Sequence, residues 1–529
     1  MPEMSAEKKS AKIFWFYVFT VAILVKIYFV YYGYEHAHYL VPPGSDVIQH
    51  LAMVKNILAG NLSSQYPPGF HLLIAALSKI FNRDAFYFLT YWTPILIILP
   101  TLTIYFLLRQ LFSRRVSVIT ASILLLTSNY PLFAFVDGNY PDMLAYGCFA
   151  VLMFAFLIRH YKTQNPRNLI WVGLFLFLTA LTHHLTFVSV FSILAIFGFL
   201  QLFINLVIEK VKLSKKDWLI GLAVFLVVII ILVLVNAIYG SIVSSFLNGL
   251  LSNNSAISNA YLVQLLDLGD YPSLEGNLIW YGGILGLIYM VFSVFSNKLE
   301  NKTKQLVLVW FFFFLIMSRL SASGLPGRFA RELALPLTVS LGFLINYFLE
   351  LNQTKKPITL FFGYGLLGLL IYINSSFFTG LGKLPDSFNR MIWFWPKDQV
   401  KLDYLAKNVS LNSPVLYNPN ANLFVVIRSK NALAPLQLSD GDFEIARKYL
   451  HNPEDNDSKM AYNLLVQRLK DQNKEQYIFI DVKPPSNPSG DVYTPYQGFE
   501  EKNQILKDLA KNGQKIKQFE DQSALYKMF

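Results

Sequence analysis

Residues 44–71 read GSDVIQHLAMVKNILAGNLSSQYPPGFH and lie between two apolar runs, 13–32 and 85–108, each long enough to cross a bilayer. The stretch itself is too polar to span. Val47, Leu51, Val54 and Leu58 recur at helical spacing, while Asp46 and His50 stand four residues apart and share another face. An amphipathic helix showing a carboxylate and an imidazole is expected here, between two spans. The flanking runs make the chain a polytopic membrane protein, and the helix between them raises the question of what its carboxylate and imidazole do.

The composition agrees. Of 529 residues, 54% are hydrophobic and only 15% charged, where a soluble domain carries nearer a quarter. The mean hydropathy is +0.41. A single cysteine, Cys148, excludes an intrachain disulfide and any cysteine metal cluster. The net charge of +12 is no nucleic-acid signature, because residues 397–529 are nearly neutral and the excess sits in loops between apolar runs.

Those runs fall near 13–32, 85–108, 116–136, 143–158, 168–182, 185–208, 218–239, 278–296, 305–318, 332–349 and 357–378, so about eleven transmembrane helices are expected. Basic residues crowd alternate loops, as in Lys8, Lys9 and Lys12, then Arg109, Arg114 and Arg115, then Lys210, Lys212, Lys215 and Lys216. By the positive-inside rule the N-terminus is cytoplasmic and the C-terminus outside, in a multi-pass plasma-membrane protein. Two domains are expected: residues 1–396 in the membrane, and residues 397–529 as a soluble extracytoplasmic α/β domain. In the second, QYIFIDV reads as a strand, MAYNLLVQRLKDQ and QILKDLAKN as helices, and KIKQFEDQSALYKMF as a hairpin.

The unusual polar residues of the membrane part gather on the outer side. They are Asp46, His50 and His71 in the first outer loop, Asp137 and Asp142 in VDGNYPDM, and His183 and His184 in LTHHLTF. Asp267, Asp270 and Glu275 follow, and then Arg319, Arg328, Arg331 and Glu332 in SRLSASGLPGRFARE. An ionised side chain at the centre of a membrane helix costs roughly 2.5–3.5 kcal/mol on insertion scales, so acids and arginines converging on one face mark a site. Carboxylates serve as bases or metal ligands, and arginines bind phosphate bidentately. Each residue also has a plainer reading: Asp46 as a helix cap, YPPGFH as a rigid turn, Asp137 and Asp142 as caps around GNYP, and Arg331 with Glu332 as a boundary pair.

SDVIQH, YPPGFH, DGNYPDMLAYG (137–147) and GRFARELALPL (327–337) together resemble the polytopic glycosyltransferases of the GT-C superfamily. That group includes protein O-mannosyltransferases, lipid A aminoarabinose transferases and oligosaccharyltransferase catalytic subunits. The WWDYG motif of the last group is absent, and the first loop carries the single Asp46 in place of Asp-x-Asp. The resemblance implies a polyprenyl-phosphate-linked sugar as donor, an acceptor lipid, glycan or protein at the outer face, and transfer with inversion. It places catalysis on Asp46, assisted by His50, and donor-phosphate binding on Arg319, Arg328 and Arg331. Second-acid candidates are Asp137, Asp142 and Glu275, and a divalent cation, Mg or Mn, would have Asp46, Asp142 and His183 as ligands. The rival readings are a lipid-linked sugar flippase or transporter, which the near absence of mid-span charge opposes, and a non-catalytic membrane assembly protein.

Overall fold

The computed structural model describes residues 6–36, 46–61, 66–128, 130–136, 138–204, 206, 265–294, 298–320 and 325–353. In the C-terminal part it describes 400–401, 404–405, 407–409, 413, 415–417, 440–470, 475–480, 499–511, 513–520 and 522–528. The chain divides into two compact units, one of Met1–Tyr34 with Met53–Ser387 and the other of Glu35–Ala52 with Phe388–Phe529.

The first unit is helical throughout its described residues. Among the described residues, three helices are long and apolar enough to cross a membrane: Tyr140–Thr163, His184–Phe203 and Pro326–Glu350. Counting each of two bent pairs as one span brings the number to five, against the eleven expected. The apolar runs 218–239 and 357–378 lie outside the described residues. Elsewhere, backbone breaks divide runs that hydropathy reads as continuous. The 85–108 run is interrupted by a short 3₁₀ segment, Thr93–Ile97, with proline in its first turn, and the 116–136 run is two helices, Arg114–Thr127 and Tyr130–Val136. In the other direction, part of the expected first outer loop forms an apolar helix, Gly69–Phe81.

Glycines set the closest helix approaches. A Cβ on Gly286, in the helix Asn277–Ser293, would lie 2.1 Å from the Ser340 carbonyl oxygen of the helix Ala334–Gln353. Small residues at such crossings let two backbones meet, which is how helices associate where lipid removes the hydrophobic drive. Gly276 has φ +93°, at a 112° bend between Leu268–Glu275 and Asn277–Ser293. Only glycine holds that conformation without strain.

The helix Asp46–Leu58 forms as its pattern requires, with Val47, Leu51 and Val54 buried. His50 is buried with them, at 5% exposure. The expectation that it would show on the opposite face is corrected here: position 50 is three residues from Val47 and four from Val54, so it belongs to the stripe.

In the second unit, strands β1 (Val415–Tyr417), β2 (Tyr477–Ile480), β3 (Gln514–Gln518) and β4 (Ala524–Lys527) form a mixed sheet of order β1-β2-β4-β3. β1 runs parallel to β2, with Leu416 opposite Ile478, and β3–β4 is the antiparallel hairpin read from KIKQFEDQSALYKMF. Leu416 and Ile478 share a core with Leu465 and Leu469 of the helix Asn456–Lys470 and with Ile505, Leu506 and Leu509 of Phe499–Ala510.

Candidate functional site

Three candidate spans begin at one place. Asp142 lies in the first turn of Tyr140–Thr163, His183 caps His184–Phe203, and Arg328 opens Pro326–Glu350. All three helices therefore direct their N-terminal, partially positive ends into one region, a setting that suits an anion.

Asp142 is fully buried and lies at the centre. Its Oδ1 is 3.0 Å from Arg328 Nη2 and accepts a 2.6 Å hydrogen bond from Thr186 Oγ1. Its Oδ2 is 3.5 Å from Arg331 Nη2. Arg328 Nη2 also lies 3.0 Å from His183 Nε2, and its Nε is 3.5 Å from Glu332 Oε1, one helical turn on. Arg331 is wholly buried, whereas Arg328 keeps 7% of its surface, so of these two Arg328 is the one that reaches the surface.

The imidazole orientation follows from these partners. A guanidinium has no acceptor, so the 3.0 Å contact requires a lone pair on His183 Nε2 and assigns the proton to Nδ1. Nδ1 lies 2.8 Å from Thr186 Oγ1, and the Thr186 hydroxyl proton goes to Asp142. The Thr186 backbone N–H, 3.2 Å from the same Nδ1, is a partner only in the other tautomer.

The YPPGFH turn joins the site through Gly69. A Cβ there would lie 2.8 Å from the Leu181 carbonyl oxygen, so glycine allows the turn to pack on the helix end just before His183. Tyr66 consequently meets His71, His183 and His184 edge-on, with ring centroids 5.6, 6.1 and 5.7 Å apart. His183 and His184 stack at 5.3 Å.

Behind the arginines is a second polar layer. Tyr146 donates to the Glu332 carbonyl at 2.6 Å and accepts from Trp310 Nε1 at 3.0 Å, tying three helices together. Tyr146 is placed by a π-helical segment, Ala145–Ala150, directly after Asp142. Glu275 is fully buried and within electrostatic reach of Arg331 and Glu332.

Of the residues singled out in the sequence, Asp142, His183, Arg328 and Arg331 are in direct contact, and Glu275 is within electrostatic reach of Arg331 and Glu332. Arg319 is not part of the group: it is exposed and donates to the Leu266 carbonyl. Asp137 lies outside the described residues, as does the Asp46 side chain; Asp46 and His50 belong to the second unit. Thr186, Tyr66 and Tyr146 were not anticipated. Only Thr186 had a local signal, three residues after His183 at the start of a helix.

A divalent cation does not fit Asp142 and His183. The carboxylate stands between two guanidinia, and the imidazole lone pair is directed at one of them. Among the described residues no group of three His, Cys, Asp or Glu is placed to hold a metal.

The family profile for dolichyl-phosphate-mannose-protein mannosyltransferase matches residues 65–235, a stretch that contains Tyr66, Asp142, His183 and Thr186. No curated protein sequence matches the chain. Among solved structures, the apo oligosaccharyltransferase of Archaeoglobus fulgidus superposes with a TM-score of 0.62 at 12% identity, covering 95% of this chain and 73% of the other. ArnT from Cupriavidus metallidurans bound to undecaprenyl phosphate superposes at 0.58 and 11% identity, covering 98% of both chains. The archaeal oligosaccharyltransferase AglB from Archaeoglobus fulgidus, in complex with an inhibitory peptide and a dolichol-phosphate, gives 0.54 at 12% identity, with 96% of this chain and 73% of that one covered. At these identities the likeness is one of fold.

Proposed function

We propose that the chain is a GT-C-type glycosyltransferase that transfers a sugar from a polyprenyl-phosphate carrier to an acceptor at the outer face of the membrane, a reading supported by the profile match and the shared fold. The observation that carries this reading is Arg328, buried but for 7% of its surface. It stands at the N-terminal ends of three spans, locked by Asp142 and His183, with its remaining donors free to meet a phosphate.

The expected chemistry is a single displacement with inversion. A base removes the proton from the acceptor hydroxyl or amine as that atom attacks the anomeric carbon, and the glycosidic bond to phosphate breaks. The polyprenyl phosphate leaves with the bonding electrons. Arg328 stabilises the charge that builds on this leaving group, where a preorganised cation in a dry site is most effective. Arg331, wholly buried, sets the local potential and holds Asp142. Asp142 is thus committed to the arginines as counter-ion, and the base role is proposed for Asp46 on the family resemblance of SDVIQH.

AglB and ArnT are described in complex with dolichol-phosphate and undecaprenyl phosphate, which supports this donor class. The acceptor is a lipid, a glycan or a protein. The reading is tested by incubating the purified chain with polyprenyl-phosphate mannose or aminoarabinose and a crude envelope extract, then isolating the labelled product. A product whose anomeric configuration is opposite to the donor's supports it. Retained configuration, or label that crosses the bilayer unchanged on its carrier, overturns it.

A further inference from the structure

Arg328, His183, Thr186 and Asp142 form a closed hydrogen-bonded ring. Arg328 Nη2 donates to His183 Nε2 at 3.0 Å, and His183 Nδ1 donates to Thr186 Oγ1 at 2.8 Å. Thr186 Oγ1 donates to Asp142 Oδ1 at 2.6 Å, and that same oxygen meets Arg328 Nη2 at 3.0 Å. Within the ring, each polar atom has one direction of donation compatible with its ring partners; the Thr186 backbone N–H, 3.2 Å from Nδ1, is the neighbour that would favour the other tautomer. Reversing the imidazole would set an N–H against the guanidinium.

The ring occupies Nη2, and Glu332 takes Nε at 3.5 Å. Of the five guanidinium donors, the two on Nη1 are without a partner among the described residues, on a side chain that retains 7% exposure. The ring therefore sets which edge of the guanidinium turns outward. Asp142 alone would not do so, because a carboxylate accepts from either edge of an arginine. The imidazole adds a single-acceptor constraint that fixes the rotation.

We propose that His183, held in one tautomer by Thr186, is a positioning residue that turns Arg328 Nη1 toward the donor phosphate. The proposal rests on the reading of Arg328 as a phosphate contact. It replaces the expectation of His183 as a metal ligand with a role exercised through another residue. The other groups facing the imidazole are the Tyr66 ring, edge-on at 6.1 Å between centroids, and the His184 ring, stacked at 5.3 Å.

The experiment is a binding titration of undecaprenyl phosphate to the full chain in lipid nanodiscs, followed by intrinsic tryptophan fluorescence, with inorganic phosphate in a parallel arm. Wild type is compared with Arg328→Gln, His183→Leu, His183→Gln, Thr186→Val and Thr186→Ser. The expectation is that His183→Leu and Thr186→Val bind about tenfold more weakly, the scale of one lost hydrogen bond to a charged group. Glutamine has an oxygen to accept from Arg328 and an amide to donate to Thr186, so His183→Gln is expected to recover most of the affinity, and Thr186→Ser likewise. Inorganic phosphate is expected to leave the signal unmoved. If His183→Leu does not fold, the Thr186 pair carries the same comparison.

If both His183 variants bind like wild type while Arg328→Gln is weakened, the positioning role is overturned and the phosphate reading stands. Equal weakening in His183→Leu and His183→Gln also overturns it, because the hydrogen-bond direction would then not matter. If Arg328→Gln binds like wild type, the phosphate reading fails and the positioning role with it. Competition by inorganic phosphate at equal concentration would overturn the lipid carrier as the ligand.

Discussion

Arg328 Nη2 lies 3.0 Å from Asp142 Oδ1, joining the first turns of two membrane-crossing helices that are far apart in sequence. This buried ion pair organises the site. It converts an acid that the sequence offered as a catalytic candidate into the counter-ion of a buried arginine. Removing one partner of such a pair leaves an uncompensated charge, at a cost of about 3–5 kcal/mol.

Asp142→Asn is therefore expected to lower the melting temperature of the detergent-solubilised protein sharply. The double variant Asp142→Asn/Arg331→Gln is expected to recover part of that loss, since it restores the charge balance. Differential scanning fluorimetry on the single and double variants checks this. Additive losses would show that Arg331 and Asp142 are not coupled.

Thr186 donates its hydroxyl proton to the same carboxylate at 2.6 Å. Thr186→Val keeps the shape and removes the donor, and is expected to destabilise by about 1–3 kcal/mol. Thr186→Ser is expected to melt close to wild type.

Tyr146 is a bridge, donating to the Glu332 carbonyl and accepting from Trp310. Tyr146→Phe leaves the buried Trp310 N–H without its acceptor, and a loss of about 1–3 kcal/mol is expected. A shift in tryptophan emission in the folded variant would report the same change directly.

Gly286→Ala places a methyl group against the Ser340 carbonyl, whereas a Cβ at Gly198 meets nothing within 4 Å. The first is expected to reduce the yield of monodisperse protein through overpacking worth about 1–3 kcal/mol. Gly198→Ala is expected to purify like wild type. Size-exclusion chromatography of the two variants makes the comparison.

In the C-terminal unit, Asp455 accepts from Ser458 Oγ at 2.5 Å and from Ser458 N at 3.0 Å, capping the helix Asn456–Lys470. These hydrogen bonds, the hydroxyl's first, hold its carboxyl below the ordinary value of 3.8. The sign follows from linkage. A depressed folded-state value stabilises above the unfolded pKa, and the contribution is lost as pH falls through the lower, folded one. Amide exchange across 456–460 is expected to be steady at neutral pH and to accelerate in acid beyond the intrinsic rate. In Asp455→Ala it is expected to be fast throughout.

Much of the helical scaffold was legible because apolar runs report it locally. The rarity of charge within those runs likewise picked out Asp142, His183, Arg328 and Arg331. Their pairing was not legible. Asp142 meets Arg328 only through tertiary packing, which neither periodicity nor spacing carries. Proline and 3₁₀ breaks, as at Thr93–Ile97, divide runs that hydropathy averages over, and the runs 218–239 and 357–378 lie outside the described residues. His50 was assigned to the exposed face with Asp46 by its i,i+4 spacing, yet it lies equally within the Val47–Val54 stripe. Spacing alone does not decide which neighbour a boundary position follows. Tyr66 entered through Gly69, whose role depends on a close approach to Leu181 from a distant helix.

The most direct test is release of polyprenyl phosphate from a radiolabelled polyprenyl-phosphate sugar by the chain in lipid, with envelope extract as acceptor, beside Asp46→Asn and Arg328→Gln. Release by wild type, abolished in Asp46→Asn and reduced by about 10²-fold or more in Arg328→Gln, is the expected result for a base and an arginine on the leaving phosphate. Release that continues unchanged in both well-folded variants, or is absent from wild type across a panel of donor sugars, would contradict sugar transfer at this site.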